Sequence, residues 1–308
     1  MNKTAFDQYE EIVTDALKSC SAKLRKSFKT AFIQLMILYM VLPRKINFTQ
    51  MGRYSDSSEQ RFRQLFEREF DWMQFNLLLM RRRFGESGRK AIAIDASYIS
   101  KSGKKTPYIG KFWSGCASRV KRGLEILGIG IIDIDSRDCM MLRAEQTPDK
   151  AYLEKQGEDY NLVDWYLDVL RKYKDSLLGI TRYVVADAWF SKAKFVGEAC
   201  LLGFHVISRL RDDAALWYSH DGVRTGKRGR PRIKGEKIDF KKLDLQRCEI
   251  LDIEGGRAYS VKAYSKAMKR NIKVVVHYPE SGGHKIYFST DLDMSAKDII
   301  EYYRTRFQ

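Results

Sequence analysis

A chain of 308 residues with 44% hydrophobic content can bury a large core and form more than one domain, which excludes a disordered or fibrous protein. Its 56 Lys and Arg against 39 Asp and Glu give a formal net charge of +17; this favours a polyanionic partner such as nucleic acid, although a basic enzyme of other purpose shares the balance. The five cysteines (Cys20, Cys116, Cys139, Cys200, Cys248) and four histidines lack disulfide or ligand spacing, no signal peptide opens the chain, and the apolar stretch Thr30 to Leu42 is broken by Gln34 and too short for a bilayer. These features fit a cytoplasmic protein with reduced thiols and no membrane partner.

Residues 1–88 read as an all-helical domain. Phe6, Tyr9, Val13 and Leu17 recur at helical spacing, and Leu24, Phe28 and Leu35 carry a second helix to its stop at Pro43. Asn47 to Tyr54 predicts a short helix, and Asp56-Ser57-Ser58-Glu59 resembles a capping box opening another through Arg61, Phe62, Arg63, Leu65 and Phe66. Two short helices with outward Arg61 and Arg63 describe either a helix-turn-helix DNA reader or an ordinary helical hairpin. Phe70, Trp72, Phe75 and Leu77 to Met80 form a core-seeking aromatic stripe, closed by Arg81 to Arg83 and the glycines at 85 and 88.

From residue 89 the pattern changes to strands alternating with helices. Lys90 to Ser97 is an apolar run that stops on Asp95, and period-2 alternation places Asp95 on the side carrying only Ala91 and Ala93, which leaves room for an ion. Alone, such an Asp either starts a turn or holds a ligand. A second copy, Thr181 to Asp187 leading into Ala188-Trp189-Phe190, changes the odds, because two strand-end carboxylates are what a two-metal phosphoryl-transfer site needs from a mixed sheet. Between them lie a basic loop with Lys104 and Lys105 that extends past Trp113 to Arg122, two strands over 124–133 and 139–143, and a crossover helix bearing Leu162, Tyr166, Leu170, Tyr173 and Leu177. The basic loop either holds a nucleic-acid backbone or is simply solvated. A helix ended by Gly203 and a strand at 205–210 follow. The order βββαβαβ is that of a ribonuclease-H-like mixed sheet.

A β-rich insertion is expected at about 212–290, with strands near 247–253, 257–262, 272–278 and 285–289. It holds Arg228-Gly229-Arg230-Pro231, which is either an AT-hook-like pair of minor-groove arginines or a flexible basic loop. The last helix opens at Ser295 and presents Ile299, Tyr303 and Phe307.

Asp95, Lys101-Ser102-Gly103, Trp113-Ser114-Gly115, Asp187-Ala188-Trp189-Phe190, the late β insertion and Tyr303-Arg304-Thr305-Arg306, in this order, resemble the bacterial insertion-sequence transposases of the cut-and-paste DDE group with a Tyr-Arg-Glu-Lys signature. The resemblance implies Asp95 and Asp187 as the first two ligands of paired Mg²⁺ ions, with Mn²⁺ as a substitute, and Tyr303 and Arg306 as the signature's first members and DNA contacts. It implies double-stranded DNA as partner, both terminal inverted repeats and target, and a homodimer on synapsis at the nucleoid. The signature's glutamate falls two positions past Gln308, and Glu301 lies on a different helix face from it. Little or no strand transfer is therefore expected from these residues alone. The alternatives are a non-catalytic DNA-binding product or inhibitor derived from a transposase, and a ribonuclease-H-like nuclease such as a resolvase.

Overall fold

The structure, a computed structural model, describes residues 3–20, 24–43, 45–103, 105–220 and 234–306. The chain forms two compact units, Met1–Glu86 and Ser87–Gln308.

The first unit is helical: α1 (Ala5–Ser19), α2 (Lys26–Val41), α3 (Phe48–Arg53), α4 (Glu59–Phe66) and α5 (Trp72–Phe84). Thr4 and Asp7 form a reciprocal cap at the start of α1, and the α2 ladder ends two residues before Pro43. Val13, Leu17, Phe28, Phe32 and Phe75 build one core, while Leu35, Leu38, Met51 and Phe62 build another under α3 and α4. Phe6 does not join them and is exposed. The cap of α4 also differs from the expected box. Ser58 accepts the Arg61 N–H at 3.3 Å, while Glu59 accepts from Thr49 Oγ1 at 2.9 Å and Arg63 Nε at 3.0 Å. Glu59 is the first helical residue rather than the third, so its carboxylate faces α3 and the next turn, not the cap.

The second unit is a mixed α/β body of the ribonuclease-H-like kind. Its first strands are β1 (Lys90–Ser100), β2 (Gly110–Ser114), β3 (Arg119–Asp133) and β4 (Asp138–Gln146), followed by α6 (Lys150–Gln156), α7 (Leu162–Lys172), α8 (Lys174–Leu178), β5 (Tyr183–Ala186), α9 (Ala193–Leu201) and β6 (His205–Leu210). Next come β7 (Leu216–Ser219), β8 (Lys234–Lys237), β9 (Glu249–Ile253), β10 (Gly256–Ser265), β11 (Arg270–Pro279), β12 (Lys285–Ser289) and α10 (Ala296–Thr305). Among the described residues, all twelve strands form one sheet of order β2-β3-β1-β5-β6-β12-β11-β10-β7-β8, with β4 also on β3 and β9 also on β10. β1, β5 and β6 are parallel, as the helical crossovers between them require, and the hairpin-connected strands are antiparallel.

Two features depart from the sequence expectation. The segment expected to be a basic loop to Arg122 contains a hairpin: Gly110–Ser114 pairs with Arg119–Gly123, closed by a turn with Ser118 at φ 47°. Five residues beginning with Gly and carrying Lys and Trp give almost no apolar alternation to read. The strands of 216–289 continue the same sheet, because β12 pairs with β6 through Ile286–Leu210 to Ser289–Ile207.

The sheet has two covered faces. On one, Tyr166 of α7 and Phe195, Val196 and Ala199 of α9 are buried, and Tyr166 donates to Glu125 of β3 at 2.6 Å. On the other, α10 buries Ile299, Ile300, Tyr302 and Tyr303 against Ala91, Val185, Ile207, Val275 and Tyr287. Side-chain alternation sets which residue meets which helix.

Candidate active site

The site follows from strand register. β1 and β5 pair in parallel through Ile92–Val184, Ala93–Val185 and Ile94–Ala186. The next residues are Asp95 and Asp187, and Asp187 is still extended at φ −74°, ψ 174°, so ordinary strand spacing puts their Cα atoms about 4.8 Å apart. Both side chains lie on the α10 face. Opposite Asp95 and Ala93 on β3 stand Gly128 and Gly130, and the Met141 side chain of β4 lies over Gly128.

The two aspartates differ locally. Asp187 does start a turn, since its Oδ1 accepts the Trp189 N–H at 2.9 Å to cap a single 3-10 turn over Ala188–Phe190. Its carbonyl also accepts the buried Ser208 hydroxyl at 2.8 Å, which braces it against β6. Asp95 starts none. β1 runs on to Ser100, paired to β3 throughout, because Ala96 and Tyr98 keep packing on the α7 face while Ser97 and Ile99 stay open on the other.

Arg306, the residue that caps the C-terminus of α10, brings a cation to the pair. Arg306 Nη1 lies 3.8 Å from Asp95 Oδ1; the arginine side chain is 11% exposed and the aspartate's 59%. Loss of hydration holds the Asp95 carboxyl above its ordinary range, the Arg306 guanidinium draws it down, and Asp187 pushes it up. Tyr303 is raised chiefly by burial, opposed by Arg306 and Arg209 and supported by Asp187, so its hydroxyl feels the same charges. Arg306 also sits 5.5 Å from the Tyr303 ring centroid. Asp95, Asp187, Tyr303 and Arg306 thus converge from three elements.

Two further cations belong to this neighbourhood. Arg209 shares the α10 face by alternation with Ile207, and its Nε is buried without a hydrogen-bond partner among the described residues. Its sequence signal is a lone cation inside an otherwise buried strand. Lys192 lies 3.4 Å from the Trp189 ring centroid, with its ammonium lowered by burial and supported by Asp187. Being in a loop, it has no pattern that points to it.

The remaining candidates stand elsewhere. In the helical unit, Arg61 Nη2 donates to the Ser27 carbonyl at 3.3 Å, and Arg63 is paired with Glu59 and lies over Phe48 at 4.9 Å. Lys105 is exposed in the loop before β2. Lys104, Arg228, Arg230 and Phe307 lie outside the described residues. Glu301 is held by Arg89 Nη1 at 2.7 Å, together with Asp298, and not by the aspartate pair.

Among the described residues, no three His, Cys, Asp or Glu side chains cluster as a metal set. The donors at this point are two carboxylates. They are hard oxygen ligands of the type Mg²⁺ and Mn²⁺ take, they repel each other without a cation, and Ala93, Gly128 and Gly130 stand beside them in the sheet. On these grounds the pair fits a divalent ion.

The sequence profile of the family described as DDE superfamily endonuclease matches residues 25–263. The match spans α2 through most of β10 and contains both aspartates but not α10. No curated protein matches the chain.

Proposed function

Because the chain belongs to the DDE superfamily endonucleases, we propose that it descends from, or acts as, an insertion-sequence DNA transposase in the cytoplasm at the nucleoid, with Asp95 and Asp187 as the metal-holding pair. The observation that carries this reading is the in-register placement of the two carboxylates at the ends of parallel neighbouring strands, with Arg306 beside them. Bound Mg²⁺ or Mn²⁺ supplies charge neutralisation at the attacking and leaving oxygens of a phosphodiester.

The protein's own groups have distinct tasks in this reading. Asp95 and Asp187 would hold the divalent ions. Arg306 and Arg209 present guanidinium N–H groups to phosphate oxygens, a geometry suited to paired hydrogen bonds. Tyr303 packs Arg306 in place. Water attacks phosphorus, the P–O3′ bond breaks, and a 3′-hydroxyl is released. That hydroxyl then attacks another phosphodiester, in the opposite strand or in target DNA, expelling a second 3′-oxygen. Two chains acting on two element ends form the working homodimer. Arg61, Arg63, Lys105 and, beyond the described residues, Lys104, Arg228 and Arg230 supply phosphate contacts along terminal-repeat and target DNA.

A second reading is favoured by one observation: among the described residues, no third carboxylate joins the pair. Two ligands position an ion loosely, and positioning is most of phosphoryl-transfer catalysis. The 308 residues then act as a DNA-binding product that occupies element ends or enters mixed oligomers. Incubating the chain with supercoiled plasmid and Mg²⁺ or Mn²⁺ separates the readings. Metal-dependent nicking lost in Asp95→Asn and Asp187→Asn supports the enzyme; DNA binding without nicking supports the binding product, and absence of both overturns the proposal.

A further inference from the structure

The hairpin of β2 and β3 has one pinned face and one open face. On the pinned face Phe112 and Ser114 are buried, Tyr98 donates to the Arg122 carbonyl at 2.6 Å, and the Tyr98 ring lies close against Gly123. The open face is the one that carries Asp95. Strand alternation places Ser97 and Ile99 of β1, Arg122 and Val120 of β3, and Lys111 and Trp113 of β2 on it, in the registers Lys111–Arg122 and Trp113–Val120. Trp113 is 60% exposed and Val120 57%. Residues 110–124 hold four Lys or Arg and no Asp or Glu; Lys111 and Arg122 fall on the open face, Arg119 and Lys121 on the pinned one. Along β3, the eight residue steps from Gly128, opposite Asp95, to Val120 span about 26 Å, the rise of about eight base pairs.

We propose that this open hairpin face is a duplex-DNA binding surface that holds the flank of the cleaved phosphodiester, with Lys111 and Arg122 on phosphates and Trp113 with Val120 as an apolar contact at its far end. The proposal rests on the endonuclease reading of the aspartate pair and adds to it where, and over what length, the substrate is gripped. Charge complementarity selects DNA over a protein partner: beyond Asp95, the charged side chains that alternation places on this face of β1, β2 and β3 are the cations Lys111 and Arg122, with no acid between them and the carboxylate site. Lys111 and Arg122 are paired across two strands whose opposite face is pinned, so the two cations are presented at the spacing of the sheet and are not recruited from a loop. In a strand, Lys111 and Arg122 are directly opposed like charges, an arrangement that is unfavourable unless an anion lies over them.

The test is equilibrium binding of the 308-residue chain to a labelled random-sequence duplex of roughly 30 base pairs over a range of salt, read by fluorescence anisotropy. The double variant Lys111→Gln/Arg122→Gln is expected to reduce the slope of log K against log salt by about 1.8, the release expected for two phosphate contacts. Lys150→Gln, an exposed charge on α6, is expected to leave the slope unchanged. Trp113→Ala is expected to weaken binding about fivefold with no change of slope, as for an uncharged contact. All substituted side chains are exposed, so folding is not at risk. Wild-type slope and affinity in the double variant overturn this proposal while leaving the endonuclease reading intact. A double variant that loses self-association but keeps the slope makes the face a contact between copies, and also overturns it. Failure of the unsubstituted chain to bind duplex DNA at all overturns both.

Discussion

Arg306 Nη1 stands 3.8 Å from Asp95 Oδ1, a contact that ties the last helix of the chain to the central strand of its sheet. The arginine lowers the proton affinity of an aspartate that burial and Asp187 raise. Removing it in Arg306→Ala therefore moves the Asp95 titration to higher pH. Carboxyl-detected NMR of the metal-free chain is the direct measurement. Because only ionised Asp95 binds a cation, the acid limb of Mn²⁺ binding is expected to move upward in the same variant. An unmoved titration means that the contact has no electrostatic consequence in solution.

Divalent ions are expected to stabilise the second unit as the free-ion concentration rises, following RT ln(1 + [L]/Kd). With a folded-state pKa raised above that of the unfolded chain, Asp95 opposes folding once pH exceeds its ordinary value, and that cost is complete above its folded pKa. Asp95→Asn should therefore melt slightly higher than the unsubstituted chain without metal at neutral pH, and should lose the rise in Tm on adding Mn²⁺. Scanning calorimetry with and without the ion checks both signs.

Arg89 gathers three carboxylates: Asp135 through Nε at 2.9 Å, and Asp298 and Glu301 through Nη1 at 2.7 Å each. The last two sit on α10, the helix that also carries Tyr303. Arg89→Ala leaves the acids facing one another and is expected to cost about 2 kcal/mol in urea unfolding, a modest figure because the groups are partly exposed. Arg89→Lys restores the charge without the fork and should recover only part of the loss.

Glu125 and Tyr166 are both buried, joined at 2.6 Å between α7 and β3. Tyr166→Phe strands a buried carboxylate and is expected to cost about 2 kcal/mol, whereas Glu125→Gln/Tyr166→Phe should cost less, since the buried group is then neutral. A double variant as unstable as the sum of both single changes would falsify this coupling.

Gly123 has no room for a side chain, because a Cβ there would stand 2.4 Å from the Ile99 carbonyl and 2.5 Å from the Tyr98 ring. Gly123→Ala must push the hairpin off β1, at a cost of about 2 kcal/mol. Amide exchange in β2 is the specific readout: faster exchange there, with β5 and β6 unchanged, is the expected result.

The sheet and the aspartate pair were legible because Lys90–Asp95 and Thr181–Asp187 repeat one pattern, apolar residues closing on a carboxylate, and parallel pairing turns that repeat into proximity. The same pattern overstated one point: Asp95 is inside its strand, a fact carried by Tyr98 packing on the other face and invisible to a scan for apolar runs. Arg209 and Lys192 were missed since a single cation has no periodicity. The Arg89 cluster could not be foreseen, for its partners lie 209 and 212 residues away. The hairpin of β2 was hidden by composition, with Gly, Lys and an exposed Trp in five residues. Lys104, Arg228 and Arg230 fall outside the described residues and add nothing to either side of that comparison.

The position of α10 across β5, β6, β11 and β12 has a consequence for biosynthesis. The two strands that bring the carboxylates together are complete by Asp187, yet α10, which packs on the face they occupy, follows more than a hundred residues later. During that interval the nascent chain carries an uncovered apolar sheet face bearing two like charges, a form that invites chaperone capture. Pulsed hydrogen exchange on stalled chains should show β1 and β5 protected late, together with α10; early protection of these strands would mean that another segment shelters them until the helix arrives.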